Sequence, residues 1–345
     1  MADLAELMAR AGSLSPQGVS GSAPILHERT LYLDADGLAY YCAGNDTTLL
    51  GEARVRLADK VAGMTRASQA GNCVLLLTGS GSHKGYRYAV ARVKAYQAQR
   101  ASSRRPKNWR PLRDLLETGQ FGTTLNDFDR EADDRFGQYG HADPANTVIG
   151  TQDKDMRMVP GWHLDWIDNR MRWLPPGTYD KVMNDKQYGT KWFWLQMLHG
   201  DTADFIPGLP RVGIVASTRA TAKDDGQLGR LSREVGEGGK LMQVGEVTAG
   251  KLLAGTESSN EAAEIVHKAY WSYYKERALV EMLEQAVLLW MRSGPDAAWY
   301  DVALPGNPMH LFTTGPISSM AYEEIKERVS TAQQYATLAT QTQDD

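Results

Sequence analysis

Short apolar runs bounded by Gly, Asn and Asp alternate with stretches of helical period through the first half of the chain. Thr30–Leu33 reads as a strand that ends in Asp34-Ala35-Asp36-Gly37. In Glu52–Gln69 the spacing of Val55, Leu57, Val61 and Met64 predicts a helix with one apolar face. Val74–Leu77 is wholly apolar and reads as a buried strand, ending at Thr78-Gly79-Ser80-Gly81. A helix is expected over Arg113–Glu117, a helix start within Asp127–Phe136, and strands at Thr147–Thr151 and Met171–Leu174. Strands alternating with helices predict an α/β fold with a parallel, doubly wound sheet. Ligands of such sheets bind beyond the carboxyl ends of the strands. From Tyr188 onward the pattern turns helical, with helices expected over Trp192–Leu198, Thr248–Leu253 and about Glu261–Met291. The expected division is an N-terminal extension and linker (1–29), an α/β core (30–207), a helical portion (208–330) with an extended insertion at about 211–243, and a flexible tail (331–345).

Hydrophobic residues make up 42% of 345, mean hydropathy is −0.44, and no apolar run approaches the roughly 18 residues of a membrane span. The first residues lack the basic-then-apolar pattern of a secretory signal. Cys42 and Cys73 alone give neither a disulfide framework nor zinc spacing, so a cytoplasmic setting is expected. The net charge of −4 conceals a strong asymmetry. Between Lys84 and Arg113 there are ten Lys or Arg and no acid, which suggests a gateway for a polyanion at about 83–113. Tyr86, Tyr88 and Tyr96 lie within it, placed either to stack on a splayed base or to pack in the core.

The acids cluster elsewhere, as Asp34-Ala-Asp36, Glu131-Ala-Asp133-Asp134, Asp153-Lys-Asp155 and Asp201-Thr-Ala-Asp204. On a strand Asp153 and Asp155 point to one side, and on a helix Glu131 and Asp134 share a face. So many carboxylates in one site repel one another unless cations compensate. Oxygen-only donors favour Mg²⁺, with Mn²⁺ as a substitute, over zinc. Two such ions about 4 Å apart can activate a water and stabilise the leaving oxygen of a phosphodiester.

The order Leu33-Asp34, Arg130-Glu131-Ala132-Asp133-Asp134, Thr151-Gln152-Asp153-Lys154-Asp155 and Gly200-Asp201-Thr202-Ala203-Asp204-Phe205-Ile206-Pro207-Gly208 resembles the 5′-nuclease superfamily of flap endonucleases and 5′→3′ exonucleases. Podophage 5′-exonucleases look closest, and the resemblance runs over about residues 30–255. It implies a PIN-like fold with a helical arch and a helix–three-turn–helix, and hydrolysis of duplex or flap DNA in phage-type replication or degradation. RNA–DNA hybrids would be further substrates and replication proteins further partners. It also implies that Asp34, Glu131, Asp133 and Asp134 form one metal site, with Asp153, Asp155, Asp201 and Asp204 at or behind a second. Arg100 matches the family's gateway arginine. Val244–Leu253 is similar to the second half of the helical hairpin, and Gly208-Leu209-Pro210 would open the first. The DNA-binding residues expected are therefore Lys84, Arg87, Lys94, Tyr96, Arg100, Arg104, Arg105, Gly208, Gly245 and Lys251, with K⁺ expected at the hairpin.

Two positions depart from the pattern. Gly79 stands where the family ends a strand in Asp, with Asp36 as a substitute charge, and Gln97 stands where it has a gateway Lys, with Lys84 or Lys94 as substitutes. Three other readings stay open: a catalytically disabled DNA-structure-binding protein, an RNA nuclease of the related PIN type, and a haloacid-dehalogenase-type phosphatase with Asp34 as nucleophile and Asp36 as acid/base.

Overall fold

The computed structural model describes residues 25–102, 104–209, 212–214, 231–232, 240–242, 244–296, 298–313 and 316–341. The N-terminal extension, Pro210 and most of the insertion expected at 211–243 lie outside them. Strand β1 (Leu26–Asp34) runs directly into helix α1 (Ala35–Cys42), followed by α2 (Leu50–Ser68) and β2 (Ala70–Thr78). The gateway comes next, then α4 (Trp109–Glu117), β3 (Thr123–Asp127), α5 (Ala132–Ala142) and β4 (Thr147–Gly150). Strands β5 (Gly161–Leu164) and β6 (Met171–Leu174) complete a six-stranded sheet of order β3-β2-β1-β4-β5-β6. Every pairing is parallel except β5 with β6, so the mostly parallel α/β sheet expected from the sequence is present. Strands β3 and β5 were not foreseen; both are short, and β3 (Thr-Thr-Leu-Asn-Asp) carries little apolar signal.

Alternation along the central strands sorts side chains to two cores. Leu31, Leu33, Leu75 and Leu77 pack with Leu38 and Cys42 of α1, Leu57, Val61 and Met64 of α2, and Leu112 and Leu116 of α4. The opposite parity, Leu76 and Ile149, faces the larger core beneath α5 and the C-terminal helices. These are α6 (Thr190–His199), α7 (Glu246–Leu252), α8 (Ser259–Tyr274), α9 (Ala278–Leu289) and α10 (Pro316–Gln341). Tyr32, on the same side, stacks on Tyr139 of α5 with ring centroids 4.3 Å apart. A short hairpin, β7 (Lys181–Met183) and β8 (Lys186–Tyr188), leads into α6.

Three expectations need correction. The helix expected over 261–291 is two helices, broken where Lys275 turns to φ 53°. The tail from 331, expected to be flexible, continues α10 as far as Gln341. The gateway is not a helical arch: it consists of a 3₁₀ turn (Lys84–Tyr86), the single-turn α3 (Arg87–Val90), irregular chain, and a second 3₁₀ turn (Ala98–Ser102). Left-handed backbone at Lys84, Tyr86 and Gln97 interrupts any longer helix.

Candidate active site

Asp34 closes β1 and caps α1. One carboxylate oxygen accepts the Gly37 N–H at 2.7 Å, and the other accepts the Thr151 hydroxyl at 3.0 Å. A Cβ at Gly37 would lie 2.3 Å from Asp34 Oδ2, so a side chain there would displace the Asp34 carboxylate. Thr151 follows β4, the parallel neighbour of β1, and leads to Asp153. Asp153 accepts the Asp155 N–H at 2.8 Å, while Asp155 turns inward and accepts the side-chain amide of Gln196 in α6 at 2.5 Å.

The Gly200–Gly208 segment folds into a pinched loop. Asp201 and Ile206 exchange both backbone hydrogen bonds, at 2.8 and 2.7 Å. Gly200 and Gly208, both at positive φ, cross so closely that a Cβ on Gly208 would lie 2.3 Å from the Gly200 nitrogen. Asp201 is buried and accepts the Lys154 ammonium at 3.0 Å. Asp204, in the middle of the loop, accepts the Gln97 amide at 3.1 Å and pairs with Arg100. The Tyr96 hydroxyl sits 2.7 Å from Glu131 and 3.0 Å from Asp204, bridging two elements far apart in the chain.

Glu131 and Asp133 stand at the start of α5, tied to the end of β2 by the Ala132 N–H donating to the Thr78 hydroxyl at 3.0 Å. Glu131 is saturated with donors: Tyr96, the Gln97 amide at 3.0 Å, Arg87 at 3.2 Å and Lys84 at 3.5 Å. Asp133 differs, because it accepts no hydrogen bond and forms no ion pair among the described residues. Burial, then the charges of Asp153, Asp34, Glu131 and Asp204, raises its carboxyl far above the usual range. The same causes operate across the site. Burial pushes Asp34 up to about 6 against the Gly37 hydrogen bond. Asp204 is pushed up to about 6 by burial and by Glu131, against Arg100. Asp155 is raised well above its ordinary value by burial and then by Asp153 and Asp201. Asp153 shows a face to solvent yet is crowded by protein, and its carboxyl is also raised. Asp34, Glu131, Asp133, Asp153, Asp155, Asp201 and Asp204 therefore form one electrostatically coupled group beyond the carboxyl ends of β1 and β4.

Several residues expected at this site do other work. Asp134, fully buried, is gripped by both terminal nitrogens of Arg87 at 2.8 Å and by the Arg292 N–H at 3.2 Å. Burial alone would raise its carboxyl; Arg87 and Arg292 overcome that and hold it well below the ordinary range. Its carboxylate is committed to these partners, unlike that of Asp133. Asp36 is likewise committed, to the Thr78 N–H at 2.9 Å and to Arg113 at 2.8 Å, so it does not supply the charge absent at Gly79. At Gly79 a Cβ would lie 2.6 Å from the Phe128 ring. Arg87, expected on DNA, is wholly buried and also donates to the carbonyls of Leu288 and Trp290. Tyr96 is buried and cannot stack on a base. Gly208 is buried too, its N–H given to Gln285 at 3.1 Å instead of to a phosphate.

The other gateway cations expected on DNA are at least partly accessible. Lys84 hydrogen-bonds Gln97 beside Glu131, so a cation does reach the place where Gln97 replaces one. Lys94 lies over the Phe205 ring at 4.8 Å, Arg104 pairs with Asp46 at 3.1 Å, and Arg105 covers Trp109 at 4.1 Å. Gly245 and Lys251 are exposed at the two ends of α7. Thr151, Gln196 and Arg292 were not foreseen as supports; Gln196, a lone amide inside the apolar run Trp192–Leu198, was the one visible signal.

The donor set fits a divalent cation chemically. It is oxygen-only, anionic and crowded, and the carboxyls carry the mutual repulsion that a cation relieves. Among the described residues no three His, Cys, Asp or Glu side chains are close enough to enclose an ion as they stand. No helix among these residues is long and apolar enough to cross a membrane.

No family model matches the chain, and no curated protein matches it. Solved structures do. The chain is similar to the bacteriophage T5 D15 flap endonuclease in a pseudo-enzyme–product complex with DNA and metal ions, at 13% identity and a TM-score of 0.45, over 88% of this chain and 99% of that one. It is also similar to the T5 D15 protein co-crystallised with metal ions, at 12% identity and a TM-score of 0.41, over 87% and 99%. At such identity and TM-scores, the chemistry has to come from this chain's own residues.

Proposed function

We propose that the chain is a divalent-metal-dependent 5′-nuclease that hydrolyses phosphodiesters of DNA at 5′ ends or flaps, and of RNA–DNA hybrids. The observation that carries this is the gathering of carboxylates from separate segments at the carboxyl end of a parallel sheet, with Asp133 unpartnered among them. Cations Lys84, Arg100 and Lys154 lie directly against the acids.

Asp34, Asp133, Asp153, Asp155, Asp201 and Asp204 would hold Mg²⁺ or Mn²⁺, which when bound polarises a phosphodiester and makes water a better nucleophile. The chain's own part is positional. Gly37 and Thr151 fix the Asp34 carboxylate, Gln196 fixes Asp155, and Lys154 fixes Asp201. Lys84 and Arg100, joined to the acids by Gln97 and Asp204, stand ready to transfer to a phosphate when the strand enters. Exposed Lys94, Arg104 and Arg105 would hold the strand on its way in. The 5′ polarity and the hairpin contact, with K⁺ there, follow from the motif resemblance; the hairpin lies largely outside the described residues.

The test is a time course on duplex DNA labelled at either end and on a 5′-flap duplex, with Mg²⁺ or chelator, beside p-nitrophenyl phosphate. Metal-dependent release from 5′ ends or flaps, leaving 5′-phosphates, is expected. Turnover of p-nitrophenyl phosphate alone would point to the phosphatase, and DNA binding without cleavage to a disabled binder.

A further inference from the structure

A cavity of about 240 Å³ opens beside the acids, between the end of β4, the β5–β6 hairpin and β8. Asp153 stands on its wall, so the cavity borders the proposed cleavage site. Met156 and Tyr188 give it apolar surface. Trp166 also lines it; this side chain is 2% exposed and its indole N–H has no partner among the described residues. His163, T-stacked with Tyr188 at 5.2 Å, lies 2.8 Å through Nε2 from the Val159 carbonyl. Burial lowers its pKa to about 4, so the ring is neutral, donates through Nε2 and keeps Nδ1 as an acceptor. Cations also line it: Arg157 lies over the Trp192 ring at 4.6 Å, and Lys186 forms no ion pair among the described residues.

Ile167 stands at the lip, 85% exposed. Its loop is braced, because its N–H donates to Asp165 at 2.8 Å and Arg172 pairs with Asp165 and Asp168 at 3.4 and 3.0 Å. The exposed isoleucine offers an apolar surface to a flat ring, beside a lining that carries the cations Arg157 and Lys186 as well as the carboxylates of Asp153 and Asp165. The volume falls below the roughly 300–1,000 Å³ of a drug-sized pocket, which limits the occupant to one small unit.

We propose that this cavity binds a single nucleotide of the strand at the acid cluster, with the base against Ile167 and Tyr188 and its phosphate toward Lys186 and Arg157. The choice of ligand rests on the nuclease function proposed above. The neutral imidazole of His163 offers Nδ1 as an acceptor to the base edge, and stacking on the Tyr188 ring tolerates any base.

Saturation-transfer NMR with thymidine 5′-monophosphate tests this in chelator, where cleavage cannot occur. Transfer to the base protons is expected with the wild-type chain. In the Ile167→Glu/Lys186→Glu variant, whose two surface changes leave the fold intact by circular dichroism, that transfer should fall at least fivefold. Equal transfer in the variant would overturn the proposal, as would complete displacement of the nucleotide by inorganic phosphate at equal concentration. A wild-type chain that cleaves DNA but gives no transfer loses the pocket and keeps the nuclease. Transfer without cleavage of any DNA keeps the nucleotide site and removes the nuclease.

Discussion

Arg87 shows how burial decides what a charge does. Its guanidinium satisfies Asp134 in a bidentate pair, touches Glu131, and donates to carbonyls at the end of α9 and just beyond. Removing one partner of such a pair leaves the other charge uncompensated, at a cost of about 3–5 kcal/mol. Arg87→Met is therefore expected to lower unfolding stability by that order in urea titrations. A loss within experimental error would mean that the pair does not anchor α5. Tyr96 is a smaller case. A single hydroxyl proton can be donated to only one of Glu131 and Asp204 at a time. Tyr96→Phe removes it at a cost of about 1–3 kcal/mol, because buried acceptors lose a donor. The nuclease rate should fall with it, since Asp204 loses one of its three tethers, with Gln97 and Arg100 remaining; an unchanged rate would make Tyr96 a packing residue only.

At the scale of elements, the gateway is clipped from behind by the C-terminal helices. Buried Glu284 of α9 accepts the N–H groups of Arg92 and Val93 at 2.9 and 3.1 Å, and Arg328 of α10 donates to Glu284 at 2.6 Å and to the Val90 carbonyl at 2.8 Å. Arg328→Ala should accelerate limited proteolysis between residues 91 and 105 and lower cleavage rates several-fold. Proteolysis no faster than in the wild type would show that α10 does not secure the gateway. This clip was illegible in the sequence. It joins the gateway to residues 191 to 238 positions further along the chain, and the packed face of α10 rests on only Ala321, Ile325 and Val329, a weak apolar signal ahead of an Ala-, Thr- and Gln-rich stretch. What could be read were the elements with strong local signals. Leu31, Leu33 and Val74–Leu77 gave strands, and the acid clusters fell at the end of β1, after β4, at the start of α5 and after α6. What could not be read was which acid pairs with which base. Asp133 and Asp134 are neighbours of one type, and only the position of Arg87 across the fold makes one a free carboxylate and the other an anchor.

The molecule as a whole carries a net charge of −4, yet its acids and bases are segregated. Part of the basic stretch is spent internally, Arg87 on Asp134 and Arg113 on Asp36 and Glu117, which leaves Lys94, Arg104 and Arg105 among those outside. DNA affinity should fall steeply as salt rises, and Lys94→Ala/Arg105→Ala should flatten that dependence by about one to two phosphate contacts. A wild-type affinity indifferent to salt would take DNA away from this face.

The acids impose the opposite burden, since in the absence of cations they repel one another inside a folded protein, and such functional crowding is held at the expense of stability. Asp133 concentrates that conflict, being ringed by acids with no donor of its own. The most direct measurement is therefore the melting temperature and the Mg²⁺-dependent DNA cleavage of Asp133→Asn, made side by side. The predicted result is a variant that melts several degrees higher than the wild type in chelator, gains less stability from Mg²⁺, and cleaves no DNA. A variant that melts lower, responds to Mg²⁺ as the wild type does, and still cleaves would contradict a metal-dependent nuclease centred on these carboxylates.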